Sequence, residues 1–340
     1  MWRGLGALVC STAGSEIEEP RAFRPSQGAS PYPVRQAVLP RAQRTGSVVY
    51  CGQATRPGSG QGSWQASLDQ RTVLIINPRR GFGAAAQVAR MEGALKRLGL
   101  HFDTRLTGGR GHATALAERA VSDGYETIVA VGGDGTINEV VNGVVGSSVT
   151  VGALPLGGNN DFLRSLGIWT WREACLVVAR GTERQLDLGL AEYVGEDGRS
   201  ARRHYVVLAD VGFGSEVVRN TPGRFKHALG GGLGYVVSLY RTAGRGQARA
   251  RRMRVEADGQ VRQEENLLLV EALNGSYAGG GLRVAPTAVM DDGLLDVFTV
   301  KEMHWAAIWA LFPRIYRGTH LDHEKAAYFR ARQVLVEAER

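Results

Sequence analysis

The stretch "VAVGGDGTINE", Val129 to Glu139, leaves an apolar run through three glycines and one aspartate and enters a helical pattern at once. Thr136 and Glu139 stand three apart, the spacing of a capping box, which predicts Thr136 as N-cap and a helix starting at Ile137. The first amides of that helix, with those of Gly132, Gly133 and Gly135, would face the turn and favour an anion, with phosphate the obvious guest. No Lys follows the glycines, so this is not a Walker loop. Asn138 occupies the place of the third glycine of a dinucleotide fingerprint, which excludes that motif too.

Further turns follow the same logic. In "GALPLGGNNDFLRSLG" an apolar strand ends at Leu156, Gly157 and Gly158 make the bend, and Asn159, Asn160 or Asp161 can cap the next helix. "NPRRGFG", Asn77 to Gly83, offers Arg79 and Arg80 to phosphates, and "TGGRGHA" spans Thr107 to Ala113.

The elements that must position these turns are apolar runs alternating with amphipathic stretches from Thr72 onward: "TVLIIN", "AAAQVARMEGALKRLG", "HFDTRL", "HATALAERAVSDG", "TIVAV" and "VTVGALPL". Continuous Val/Ile/Leu strands separated by helices indicate a parallel sheet covered on both faces, whose carboxyl edge carries the turns. From about Gln185 the pattern becomes β-rich. The expected fold is α/β: an N-terminal doubly wound parallel-sheet lobe, then a mainly antiparallel β-sandwich lobe, after a disordered N-terminal tail. The expected boundaries are 1–70 for the tail, 71–186 for the α/β lobe and 187–340 for the β-rich lobe. The tail, rich in Pro, Gly, Ser and Arg, shows no helical or strand periodicity.

Composition limits the partners. The 340 residues carry 44% hydrophobic and 22% charged side chains and a net charge of +8, ordinary for a folded protein that favours anionic partners. Cys10, Cys51 and Cys175 lie far apart, make no metal-binding spacing and suit a reducing compartment. No run approaches the roughly 20 apolar residues of a spanning helix. The start, "MWRGLGALVCSTAGSEIEEP", is a poor signal peptide, so a cytoplasmic, membrane-peripheral protein is expected.

GGDGT followed by NEVVNG, preceded by NPxxG and T-x-x-x-G-H-A and followed by P-L-G-x-x-N-D-F, resembles the diacylglycerol kinase catalytic-domain family, which includes bacterial lipid kinases and sphingosine kinases. The resemblance covers about Thr72 to Val300. It implies ATP-dependent phosphorylation of a lipid hydroxyl, with nucleotide between the two lobes. The family's nucleotide positions fall on Asn77, Thr107, Gly132, Gly133, Asp134, Gly135, Thr136 and Glu139, with Gly157, Gly158, Asn160 and Asp161 from the second turn. Asp134, the only acid in the glycine turn, is assigned to magnesium-linked phosphate chemistry or to orienting the hydroxyl. "NGSYAGGGLRVAPTAVMDDGLLDV" resembles the family's second-lobe signatures, and Asp292 with the carbonyls of Val289 and Leu294 matches a magnesium position. ATP and Mg2+ are thus the implied cofactors. A plain turn between strands is the alternative for that segment.

Two departures stand out. Gly158 replaces the usual threonine of the second turn, which weakens ATP binding or moves the contact to Asn159. After "ARQVLVEAER" the family continues through an Asp-Gly-Glu segment assigned to the catalytic base, and the look-alike Asp258-Gly259-Gln260 lies too early to replace it. The expectation is a truncated sequence, with Asp134 serving alone or an inactive chain as alternatives.

For the membrane, "RTAGRGQARARRMR" gathers Arg241, Arg245, Arg249, Arg251, Arg252 and Arg254, which suits anionic lipid headgroups, a solvated loop being the plainer reading. "MHWAAIWALFPRIYR" has Trp305, Trp309 and Phe312 flanked by Arg314 and Arg317, an interfacial helix or a packed one. Expected partners are a lipid substrate at a membrane surface and a second copy of the chain. No nucleic acid is expected, for no recognition motif accompanies the arginines. The rival readings are an NAD kinase and a nucleotide-binding, inactive membrane adaptor.

Overall fold

A computed structural model describes residues 7–12, 71–78, 83–156, 160–194, 199–220, 231–244 and 248–339. The first element is a short strand, β1 (Ala7–Thr12). The α/β lobe then runs β2 (Thr72–Ile76), α1 (Ala84–Arg97), β3 (Asp103–Leu106), α2 (His112–Ser122), β4 (Thr127–Gly132), α3 (Asp134–Val144), β5 (Thr150–Pro155), α4 (Asp161–Ser165) and α5 (Trp171–Arg180). Its four strands are parallel in the order β3-β2-β4-β5. Val73, Leu74, Ile75 and Ile76 are at most 2% exposed, which follows from helices covering both faces. Because β3 and β4 flank β2 on opposite sides, the chain reverses its winding between β2 and β4, and ligands of such sheets bind outside the carboxyl ends at that point.

The second lobe contains β6 (Gly189–Val194), β7 (Ser200–Tyr205), β8 (Leu208–Gly212), α6 (Phe213–Asn220), α7 (Gly231–Gly244), β9 (Arg251–Ala257), β10 (Gln260–Leu273), β11 (Leu295–Lys301), α8 (Trp305–Arg317), β12 (Ala326–Ala331) and β13 (Gln333–Ala338). Its sheet is antiparallel and nine-stranded, in the order β12-β11-β10-β9-β13-β1-β6-β7, with β8 also on β10. The long β10 pairs β9 along its first half and β8 along its second, which splits the sheet into two layers.

β1 comes from the segment read as tail. Ala7–Thr12 lies between β13 and β6 and pairs antiparallel with both, so those six residues are a strand. The rest of the expected tail lies outside the described residues. Without β1, the facing edges of β13 and β6 would present unpaired amides and carbonyls.

One hydrophobic core spans both lobes, and a second, smaller one lies on the other face of the β lobe's sheet. Two asparagines of α3 fasten the lobes together. Asn138 donates to the His204 carbonyl at 3.2 Å and accepts from the Val206 amide at 3.1 Å. Asn142, one turn on, donates to the same carbonyl at 2.9 Å and accepts from the His204 amide at 3.0 Å. Gly143 lets α3 lie close on α2, since a Cβ there would stand 2.5 Å from the Thr114 carbonyl oxygen.

Candidate active site

β4 ends at Gly132, Gly133 is extended, and α3 begins at Asp134 rather than at Ile137. The expected capping box does not form. Thr136 Oγ1 accepts a hydrogen bond from Asn77 Nδ2 at 3.0 Å, while Glu139 receives the amides of Gly111 at 2.9 Å and Ala113 at 3.2 Å. The threonine therefore ties α3 to the end of β2, and the glutamate caps α2 instead of its own helix. Gly132 must be glycine, because a Cβ would lie 2.5 Å from Thr136 Oγ1, whereas a Cβ at Gly135 would meet nothing within 4 Å. The amides of Gly133 and Gly135 have no partner among the described residues. Such orphan donors at a helix start are what an anion requires.

The second turn closes on the first. Asn160 caps α4 by accepting the Leu163 amide at 3.0 Å and also donates to the Gly132 carbonyl at 3.4 Å, so of the expected caps it is Asn160 that serves. The Asp134 carboxylate reaches across to the start of α4 and takes the amides of Asp161 and Phe162 at 3.1 and 3.0 Å. Asp161 in turn receives the Gly280 amide at 2.7 Å, a bond from the β lobe. Its other oxygen, Oδ1, is buried with no hydrogen bond and faces Arg164 Nη1 at 3.8 Å. Arg164 needs room beside Gly281, where φ is +105° and a Cβ would lie 2.2 Å from its Nη1.

Burial and the neighbouring Asp161 raise the Asp134 pKa to about 6, against the lowering effect of the two amides. Burial also raises Asp161, partly offset by the Gly280 amide and Arg164. Both acids belong to the α/β lobe and Asp161 is also held by the Gly280 amide of the β lobe, so the pair sits where protonation near neutral pH is sensitive to the approach of the two lobes.

The structure thus gathers Asn77, Gly132, Gly133, Asp134, Gly135, Thr136, Asn160 and Asp161. Thr107 is buried at the end of β3, its amide on the Ile76 carbonyl. Gly157, Gly158, Asn159, Arg79 and Arg80 lie outside the described residues. Asp292 belongs to a separate loop: Oδ1 accepts the Leu294 amide at 3.0 Å and Oδ2 pairs with Arg330, so a cation there competes with an arginine. Val289, 43% exposed, lies on the same loop. Asp258 turns the β9–β10 hairpin and accepts the Arg332 and Gln333 amides, far from any catalytic use. Of the basic segment, Arg251, Arg252 and Arg254 lie on β9 and pair with Glu216, Glu264, Glu256 and Glu337, and Arg245 lies outside the described residues. In α8, Ile308 and Leu311 are buried and Phe312 stacks against Tyr240 at 5.6 Å.

Sequence reasoning missed Asn138, Asn142 and Gly280. The signal for the first two was present, as amide side chains one turn apart on an otherwise apolar helix face.

Residues 71–191 match the diacylglycerol kinase catalytic domain, and residues 211–340 match the YegS C-terminal NAD kinase beta sandwich-like domain. A diacylglycerol kinase of Staphylococcus aureus (strain JH9) is 31% identical over 275 residues, 79% of this chain and 82% of the relative. A solved structure from Bacillus anthracis str. Sterne, proposed to be a diacylglycerol kinase, is similar at 26% identity and a TM-score of 0.62, covering 80% of this chain and 87% of that one. No helix among the described residues is long and apolar enough to cross a membrane. With its parallel-sheet lobe carrying the glycine turn and its antiparallel lobe, the chain belongs to the diacylglycerol kinase family, a family of lipid kinases.

Proposed function

We propose that this protein transfers the γ-phosphate of ATP to the hydroxyl of a diacylglycerol-like or sphingoid lipid. The observation that carries the reading is the start of α3: unclaimed amides of Gly133 and Gly135 flank a carboxylate fixed by two further amides. Those amides suit the terminal phosphates of a nucleotide. Asp134, held in one orientation, accepts the proton of the acceptor hydroxyl as its oxygen bonds to the γ-phosphorus and the bond to the β-phosphate oxygen breaks, leaving ADP.

The residues also fit a magnesium ion. Asp161 Oδ1 is a buried carboxylate oxygen without a hydrogen-bond donor. Arg164 Nη1, 3.8 Å from that oxygen, is the cation a metal would displace, and Asp134 with phosphate oxygens would complete a hard cation's shell. Bound there, the metal supplies charge neutralisation on the phosphates. Asn77 and Asn160 keep the two turns in register, and the Gly280 bond makes the cleft depend on lobe closure.

Peripheral membrane contact in the cytoplasm belongs to the same reading. Tyr316, 65% exposed at the end of α8 beside Arg314 and Arg317, suits an interface. Three of the arginines once grouped as a basic patch are neutralised on β9, so flotation on vesicles should depend more on α8 than on anionic lipid.

The test is transfer of label from γ-labelled ATP in mixed micelles containing lipid acceptors, with NAD as a competing acceptor. Label in lipid that disappears in Asp134→Asn supports the reading. Label in NAD, or ATP binding with no transfer to any acceptor, overturns it.

A further inference from the structure

The resemblance to the family implies a magnesium ion at Asp292, with the carbonyls of Val289 and Leu294, and the residues present do not fit one. Asp292 Oδ1 accepts the Leu294 amide at 3.0 Å, so one carboxylate oxygen closes the loop's own turn. Oδ2 accepts Arg330 Nη2 from β12. The same guanidinium brings its Nε to 3.5 Å from Oδ1 of the buried Asp296. Strand register explains the meeting, since Arg330 stands directly opposite Asp296 where β12 pairs with β11. A magnesium ion demands ligand oxygens at about 2.0–2.1 Å in near-ideal octahedral geometry. It could take Oδ2 only by expelling a guanidinium that β12 holds beside the site, and two cations a few ångströms apart repel.

The contrast with Asp161 is direct. There Arg164 stands 3.8 Å off and the carboxylate oxygen it faces has no hydrogen bond, so an incoming ion displaces little. At Asp292 both oxygens are already committed. The loop that carries Asp292 also has a task that requires it to be fixed. Gly293 donates its amide to Asp187 Oδ2 at 2.7 Å, and the Asp187 amide donates to the Met290 carbonyl at 2.7 Å. Arg184 pairs with Asp291 at 2.5 Å. Arg184 and Asp187 lie on the connector between α5 of the α/β lobe and β6 of the β lobe. The loop thus grips the connector, and Arg330 grips the loop.

We infer that the Arg330 guanidinium is the built-in cation of this loop, so that the β lobe takes no divalent ion at Asp292 and the connector is fastened without metal. Any divalent-ion requirement then belongs to the Asp134 and Asp161 cleft alone. A guanidinium suits the task, because its charge is permanent and its planar fork of donors engages two carboxylates at once. Arg330 is a positioning residue that acts through Asp292. Removing it should create the site it excludes: Asp292 Oδ2 would be freed, and Asp296 Oδ2 is already a buried oxygen with no hydrogen bond. Two such anionic oxygens are what a hard cation takes.

The test uses the full chain without ATP or lipid, so its outcome is independent of the kinase reading. Melting is followed in EDTA and in excess Mg2+, Ca2+ or Mn2+, and Mn2+ binding by loss of the free ion's paramagnetic resonance signal. In the wild type, Asp292→Asn should leave the response to divalent ions unchanged. Arg330→Met should melt about 3 °C lower in EDTA, for loss of a partly exposed pair. Divalent ions should restore that loss, an effect erased by adding Asp292→Asn. Arg330→Lys keeps the charge and should gain no ion response. A wild type stabilised by divalent ions, with the gain lost in Asp292→Asn, overturns the inference. So does an Arg330→Met variant that binds no Mn2+ beyond wild type, or an Arg330→Lys variant that responds as the methionine variant does. If Arg330→Met does not fold, the comparison of wild type with Asp292→Asn still decides.

Discussion

Among the described residues two buried carboxylate pairs, Asp134 with Asp161 and Asp210 with Glu271, differ in how many donors the chain brings to them. Around Asp134 and Asp161, the amides of Asp161, Phe162 and Gly280 and the guanidinium of Arg164 converge. Around Asp210 and Glu271, Ser215 is the donor in evidence. Burial raises all four pKa values, yet Asp134 stays near 6 while Glu271 reaches about 8. At neutral pH the first pair presents a fixed anion, and the second keeps a proton, with Ser215 on Asp210 and no partner on Glu271 among the described residues. Burial alone thus does not set the role of an acid; the donors aimed at it do.

The sharpest way to break that comparison is Asp134→Asn. Turnover should fall by about a hundredfold or more, since a positioned base contributes that much. ATP affinity should change far less, as the amides of Gly133 and Gly135 remain. In the wild type, activity and stability should respond oppositely to pH. Activity rises as Asp134 loses its proton near pH 6. Stability falls over the same range, because a folded-state pKa raised above the unfolded value of 3.8 gives a contribution that is complete below 3.8 and lost as pH climbs through 6. Parallel pH profiles of kcat and of the urea midpoint would read both; a flat kcat profile would remove Asp134 as base.

Next in size is Glu271→Gln. Its wild-type stability contribution is lost between the unfolded value of 4.5 and about 8, so the glutamine variant should be more stable at pH 7, and the gain should grow as pH rises through that window. A melting point that drops instead would mean the carboxylate has a partner that stabilises its ionised form. Asn142→Ala follows: it leaves the His204 amide without a partner on α3 and its carbonyl with Asn138 alone, at about 1–3 kcal/mol, and should loosen the lobes before it touches either sheet. Hydrogen exchange on β7 and on β4 would show whether the loss is confined to the interface.

These residues also mark what the sequence could and could not reveal. The parallel sheet was legible because β2 and β4 are continuous apolar runs, and Asn160 was legible as a cap because its partner lies three residues away. Thr136 and Glu139 have the spacing of a capping box, but their actual partners, Asn77 and the amides of Gly111 and Ala113, are distant in sequence. The same holds for the arginines of β9, whose acids come from α6, β10 and β13. β1 has no local periodicity beyond six residues; its pairing with β6 and β13 is entirely non-local. Asp210 and Glu271 were invisible for that reason too, since only a strand register makes them neighbours.

Glu139→Gln gives the smallest effect and tests the boundary of the active site. Both carboxylate oxygens of Glu139 sit on the first amides of α2, where a negative charge is worth about 0.3–1 kcal/mol. A glutamine keeps one acceptor and turns its NH2 toward the other amide, so one bond is lost along with the charge. If Glu139 serves α2, stability should drop by about 1 kcal/mol with ATP affinity unmoved. If it served the nucleotide, as the family resemblance implied, affinity for magnesium-ATP would fall while the melting temperature of the free protein held. Measuring both on one variant therefore decides whether the glycine turn's conserved-looking chemistry ends at Thr136 or extends a full turn into α3, and with it how much of that helix is free to fasten the lobes.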